Sequence, residues 1–451
     1  MGVSLSVIRS KVSRLKTRFP LYARVLEGGA WKVGGTGVVT LLSVAINGLL
    51  TRLLTPNDMG YYVFALSLIT TISLVAKAGL GSIVIREVSG ALGNNDLEKA
   101  REVLQWIFKW GIISIVSVSL IFGLLGEKIG IPHYLVLLAV GWLIILAGQQ
   151  LLVDTIRGFQ NTKIAAVLHG GRIGGPIAAA ISVVCFFAVW RTTGNIQVKT
   201  AISVLVVAGG IALIIAGIIV NRNVKDVLGK IKFNIHLPPL QILGMALPVL
   251  MHDLASTLLT QSSIWIVKYF RSVSEVAIYG TAQQLAAFLS IQQSIIIFVL
   301  SPEIAALHAQ GELRKLEKLQ RRVATLASVP ILVAFLVLLI GGEEILTLLY
   351  GDFYSVGKPV VILLATGYIG HVLAGSCGLT LVMTGHQIEL MRISLISSLL
   401  TLVIAFGVAG PFGLRGIAGA TAFGYIVKNI WMLFVVKKRV GIWTCATLKW
   451  N

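Results

Sequence analysis

Acidic residues are scarce in this chain. It holds 18 Asp and Glu against 38 Lys and Arg, and charged residues of both signs make up only 12% of its 451 residues. So few charges cannot coat a water-soluble protein. With 56% hydrophobic residues and a mean hydropathy of +0.89, a soluble globular fold is excluded. The three cysteines, Cys185, Cys377 and Cys445, are too few and too scattered for a disulfide framework or a metal-ligand set. There is no G-x-x-x-x-G-K-[ST] loop, so no cofactor is called for and no ATP-fuelled step on this chain is expected. A membrane enzyme would carry a large loop between its apolar blocks with catalytic Arg or His. The longest such loop here, near 343–358, has neither. No cleavable signal peptide is expected, because the first apolar run follows a long basic segment without a small-residue cleavage site.

What the chain does have is a succession of long apolar blocks from 34 to 436. A block of about 20 residues spans the roughly 30 Å hydrocarbon layer as a helix. The blocks predict an all-α polytopic membrane protein with about twelve spans, at 34–54, 61–84, 106–125, 134–152, 164–189, 201–220, 242–267, 277–300, 323–340, 360–384, 393–409 and 417–436. Every second loop is basic. About 26 Lys and Arg fall on one side and about 8 on the other, which predicts a multi-pass cell (inner, cytoplasmic) membrane protein with both termini in the cytoplasm. The net charge of +20 then follows from topology and anionic lipid, and no nucleic acid partner is needed.

The chain also repeats itself. Asn95-Asp96-Leu97-Glu98-Lys99 follows the second span and Gly311-Glu312-Leu313-Arg314-Lys315 follows the eighth. Gly60-Tyr61-Tyr62 and Ile278-Tyr279-Gly280 recur at a similar offset. Six spans per repeat leave both halves facing the same way, as in parallel repeats with a cavity between two lobes. The expected organisation is a basic amphipathic segment at 1–33, a six-helix lobe at 34–220, a basic cytoplasmic linker at 221–241, a second six-helix lobe at 242–436 and a cytoplasmic tail at 437–451.

Ionisable groups inside spans are costly and point to a cavity or a partner. Lys77, Arg172 and Lys428 each lie about 8 residues from the basic end of a span, roughly 11–12 Å deep at 1.5 Å per residue. They are expected to form a cationic ring, with Lys109 nearer its entrance and Arg52 at the far end of the first span. The competing reading is that each cation pairs with a carboxylate; Asp154, Asp253 and Glu303 are the few available. Asp253, beside His252 near the middle of the seventh span, is a candidate to exchange protons during transport. His371 reads as a packing histidine. Gly175-Pro176 and Leu247-Pro248 are expected to kink their spans.

Several short stretches resemble a known family. Thr51-Arg52-Leu53-Leu54-Thr55-Pro56-Asn57-Asp58-Met59-Gly60-Tyr61-Tyr62 resembles the first-loop signature of the polysaccharide biosynthesis flippases, within the multidrug/oligosaccharidyl-lipid/polysaccharide exporter superfamily. Gly81-Ser82 with Ile85-Arg86-Glu87, Ile156-Arg157-Gly158-Phe159, Ala246-Leu247-Pro248 and the run 411–420 resemble later motifs in the same order. The resemblance implies a two-lobed bundle working by alternating access. It implies a cargo of oligosaccharide on polyprenyl pyrophosphate, turned from inner to outer leaflet for cell-surface polysaccharide such as O-antigen. It also implies the bilayer as partner, with a polysaccharide polymerase and other assembly proteins. The family often has an acidic residue late in the seventh span; Gln261-Ser262-Ser263-Ile264-Trp265 has none. A multidrug or organic-cation antiporter of the same superfamily is the alternative. A cationic cavity would repel that cargo. A non-transporting membrane subunit of a glycan polymerase or ligase system is the reading furthest removed, and the charges within the spans argue against it.

Overall fold

The computed structural model describes residues 20–168, 174–192, 196–228 and 240–447. Lipid offers the backbone no hydrogen-bond partner, so each apolar run closes its bonds as a helix. The first half contains α1 (Pro20–Leu53), α2 (Pro56–Lys77), α3 (Leu80–Gly93), α4 (Leu97–Leu125), α5 (His133–Gly158), α6 (Thr162–Leu168), α7 (Gly175–Thr192) and α8 (Val198–Leu228). The second contains α9 (Leu240–Phe270), α10 (Val273–Ala287), α11 (Ile291–Ala309), α12 (Leu313–Tyr350), α13 (Lys358–Ala374), α14 (Cys377–Met383) and α15 (Gln387–Arg439). They form the all-α bundle of two six-span lobes expected from the apolar blocks.

Local signals set the helix starts. Thr55 caps α2 by accepting from Asp58 N, with Pro56 in the first turn. Asp96 accepts from Lys99 N at the start of α4. Ser272 and Glu275 form a reciprocal capping box on α10. The internal repeat is visible in these starts: Leu97 and Leu313 open equivalent helices, as do Pro56 and Val273.

Three expectations need correction. The second span is not continuous. It breaks at Ala78 and Gly79, both at positive φ (49° and 71°), so Lys77 ends α2 within the bundle. Neither expected proline interrupts its helix. Helix α9 runs through Pro248 unbroken, and Pro176 sits in the first turn of α7, where its missing N–H costs nothing. The last two spans join into one run, broken at Gly413 (φ 58°, ψ −140°). There Arg271 Nη2 donates to Ala409 O (3.2 Å) and Gly410 O (2.8 Å), satisfying carbonyls that the break leaves open. Helices also outrun the hydrocarbon: α8 extends to Leu228, past Arg222 and Lys225. Of the boundary segments, 1–19 and 229–239 lie outside the described residues.

One end of the bundle carries the loops after Gly93, Gly158, Ala309 and Met383 and the tail after Arg439; it is called the basic face. The lobes press together toward the other end. Arg52 Nη2 donates to Leu348 O at 2.9 Å. A Cβ on Gly60 would lie 1.9 Å from Val273 O, and one on Gly280 would lie 2.4 Å from Val63 Cγ1, so both glycines allow α2 and α10 to touch. Lys268 Nζ sits 5.2 Å over the Tyr61 ring, and Trp265 Nε1 donates to Ser67 Oγ at 2.9 Å.

Candidate functional site between and within the lobes

Two polar regions are built by these helices, and they differ in charge. The first lies in the third of the bundle nearer the basic face. The break after Lys77 directs its ammonium to Asp154 Oδ2 on α5, 3.1 Å away. Arg157, one turn further along α5, approaches the other carboxylate oxygen at 3.4 Å. Asp154 is only 5% exposed. A carboxylate at that depth requires compensation, and here it has two cations. Gly81 makes room for it: a Cβ there would fall 2.1 Å from Asp154 Oδ2 and 3.1 Å from Lys77 Nζ.

In the second lobe, Lys428 on α15 is 9% exposed, and its Nζ donates to Ser256 Oγ at 2.9 Å. No ion pair to Lys428 forms among the described residues. It lines a cavity of about 380 Å³ inside the lobe, with His252, Ser256, Gln293, His371 and Asn429. His252 Nδ1 meets Ser394 Oγ at 2.8 Å, and His371 Nδ1 meets Asn429 Oδ1 at 2.7 Å. The asparagine oxygen is an acceptor, so His371 carries its proton on Nδ1.

Helix α9 divides the two cavities. His252, Ser256 and Leu259 face the pocket inside the second lobe, while Thr260, Gln261 and Ile264 face the space between the lobes. Asp253 is exposed, shares the interlobe stripe, and lies within electrostatic range of Lys77 and Asp154 across the gap and of Lys428 in its own lobe.

The sequence-derived ring is therefore redistributed. Lys77 and Lys428 belong to different lobes, and the structure gives Lys77 the carboxylate partner that the competing reading required. Arg172 lies outside the described residues. Arg52 is at the far end of α1, away from the basic face, spending a hydrogen bond on the lobe seam. Lys109 is half-buried on α4 and forms no ion pair among the described residues. His252 lines the pocket inside the second lobe, whereas Asp253, adjacent in sequence, is exposed and is not among the residues lining either cavity.

The second polar region is the interlobe cavity itself, about 330 Å³, bounded by α1, α2, α9, α10, the turn at 288–290 and α13. Asn47, Gln261, Gln283 and Gln284 line it among hydroxyl side chains, and none of the described lining residues carries a formal charge. Sequence reasoning missed these residues. The available signal was a polar stripe at helical spacing on α1: Thr36, Thr40, Ser43 and Asn47.

Among the described residues nine helices are long and apolar enough to cross a membrane. With the family and fold matches below, the polar cavity between the lobes supports a membrane transporter. The fold has solved counterparts. One is an inward-facing multidrug resistance MATE family transporter of the MOP superfamily, with 14% identity, a TM-score of 0.68 and coverage of 92% of this chain and 98% of that one. Another is a MOP superfamily transporter from Pyrococcus furiosus described as having a binding pocket of reverse polarity, with 14% identity, a TM-score of 0.66 and coverage of 93% and 96%. Residues 25–308 match the profile of the polysaccharide biosynthesis protein family, and the chain belongs to that family. Among its relatives, the capsular polysaccharide biosynthesis protein CapF of Staphylococcus aureus is 22% identical over 403 residues, 86% of this chain and 93% of that protein. The probable low-salt glycan biosynthesis flippase Agl15 of Haloferax volcanii is 24% identical over 168 residues. That match spans 37% of this chain and 35% of the haloarchaeal protein.

Proposed function

We propose that this transporter is a flippase for oligosaccharide carried on polyprenyl pyrophosphate, moving it from the inner to the outer leaflet of the cell membrane by alternating access. The basic face is cytoplasmic in this reading, as the loop charges require. The observation that carries the proposal is Lys428: a membrane-buried ammonium, contacted by a serine hydroxyl, at the wall of a cavity large enough for a ligand. A diphosphate cannot cross hydrocarbon unaided, and a buried ammonium can replace part of its hydration with charge-assisted bonds. Lys77, with Arg157 sharing Asp154, and Arg172 are the proposed supporting cations. The polyprenyl tail stays in lipid. The lobe seam near Gly60 and Gly280 supports a state closed at the outer side and receptive from the cytoplasm. Asp253, facing both lobes' charges, is the proposed coupling carboxylate; a polymerase and other assembly proteins are the proposed recipients and partners.

The test is translocation of a fluorescent polyprenyl-pyrophosphate oligosaccharide in proteoliposomes. Wild type is expected to flip it, with Lys428→Gln and Arg172→Gln each reduced at least about tenfold at normal membrane levels. Full activity in both variants would remove the cation assignment, and no translocation by a folded wild type would remove the cargo.

A further inference from the structure

We infer that the interlobe cavity is a subsite for an uncharged, hydroxyl-rich stretch of glycan, which it binds through acceptors and selects against acidic sugars. The inference rests on the lipid-linked-oligosaccharide reading but concerns a different part of the cargo from the diphosphate. Two observations carry it.

The first is where the cavity's protons go. The hydroxyls of Thr40, Ser43, Ser67, Thr281 and Ser290 each donate to a backbone carbonyl of their own helical segment. Asn47 Nδ2 and Gln284 Nε2 both donate to Ser43 O, at 2.8 and 3.1 Å, and Gln283 Nε2 donates to Thr260 O at 2.7 Å. Each of these hydroxyls, and one N–H of each of these three amides, is thereby used within the protein.

The second observation is two orphaned acceptors. Gln261 and Gln283 are 2% and 4% exposed, and the Oε1 of each is buried without a hydrogen-bond partner among the described residues. Buried amide oxygens left unpaired are costly, so a ligand that brings O–H or amide N–H groups to them is favoured. A sugar hydroxyl does this. A carboxylate brings only acceptors and a charge, and no lining side chain on the described residues offers a cation to meet it. The cavity volume, at the small end of ligand sites, holds a segment of a glycan and not a whole repeat. Asp253 precedes Thr260 by seven residues on α9, so the charged region lies about 10 Å nearer the basic face at 1.5 Å per residue. The neutral cavity therefore adjoins the charged stretch of α9 on the interlobe side, while the Lys428 pocket lies on the other side of that helix.

The experiment measures equilibrium binding to the full chain in nanodiscs. The probes are a neutral trisaccharide of hexose and N-acetylhexosamine, the same trisaccharide with one hexose replaced by a hexuronic acid, and the organic cation tetraphenylphosphonium. Wild type is expected to bind the neutral trisaccharide at least about tenfold more tightly than the acidic one, and Gln261→Leu and Gln283→Leu are each expected to weaken neutral binding roughly three- to tenfold. The wild-type comparison stands even if a leucine variant is unstable. Equal or tighter binding of the acidic trisaccharide, no binding of the neutral one, or tighter binding of the organic cation would each overturn the inference. Translocation of the diphosphate lipid is scored separately. Neutral-glycan binding without translocation would sink the flippase reading and leave the subsite standing; translocation without neutral selectivity would do the reverse.

Discussion

Removing the Asp154 carboxylate should cost far more than removing the Lys77 ammonium, and the difference measures how firmly this ion pair holds α2 against α5. Asp154 holds Lys77 on Oδ2 and Arg157 on Oδ1. Asp154→Asn therefore orphans two cations inside the bundle, whereas Lys77→Gln leaves Asp154 still paired with Arg157. Breaking a buried pair by deleting one partner costs about 3–5 kcal/mol. The Lys77 side chain keeps 19% of its exposure and Arg157 keeps 38%, so solvent screens part of the loss and the low end, about 3 kcal/mol, is expected for Asp154→Asn. Lys77→Gln should cost about 1 kcal/mol, the scale of one exchanged hydrogen bond.

The assay is unfolding in detergent micelles for the wild type, the two single variants and the double variant Lys77→Gln/Asp154→Asn. The double variant replaces the pair with two neutral amides and should recover a good part of the Asp154→Asn loss, giving a coupling term well above the scatter of about 0.3–0.5 kcal/mol seen for independent sites. If Asp154→Asn is as stable as wild type, or if the two single losses simply add, the pair does not hold α2 against α5.

Other outcomes follow from the same geometry. Gly81→Ala should mimic Asp154→Asn in unfolding temperature and in translocation, because its Cβ would sit 2.1 Å from Asp154 Oδ2; normal stability in that variant would show the helices can part without harm. In a background lacking the native cysteines, Val63→Cys with Gly280→Cys should oxidise once the two helices ease apart by a few tenths of an ångström, since the Cβ built on Gly280 lies 3.2 Å from Val63 Cβ, just short of the roughly 3.5–4.5 Å of a disulfide. That bridge should stop translocation until a reductant is added; a fully bridged protein that still transports would rule out opening along this seam. Asp253→Asn should abolish the response of translocation to an imposed proton gradient while retaining binding of the diphosphate lipid, and an unchanged gradient response would end its coupling role.

The architecture was readable because each span reports itself locally. Twenty apolar residues force a helix and alternating basic loops orient it, but the apolar blocks at 61, 106 and 277 begin four to nine residues after the helices that Thr55, Asp96 and Ser272 cap. The repeat was readable for the same reason: the polar loops before Leu97 and Leu313 carry the same signals in order. The breaks were not. Proline draws attention, yet α9 passes through Pro248 intact, and the second span instead breaks at Ala78, a residue with no turn propensity, followed by Gly79. What decides that break is tertiary: Asp154, 77 positions away, draws Lys77 sideways, and Gly81 leaves the space for it.

The site was half legible for a related reason. A charge in an apolar span is conspicuous, so Lys77, Lys428 and Asp253 stood out, but which of them share a cavity depends on packing between distant helices. Lys77 proved to be paired, while Lys428 meets a hydroxyl in another lobe. Neutral amides are cheaper to bury and draw less notice, so Asn47, Gln261 and Gln283 passed as tolerated polar residues. Their meaning lies in the hydrogen bonds they do not make. A glutamine whose nitrogen is anchored by one bond and whose oxygen has none, held 4% exposed beside a cavity, reads as one half of an interaction whose other half arrives with the cargo.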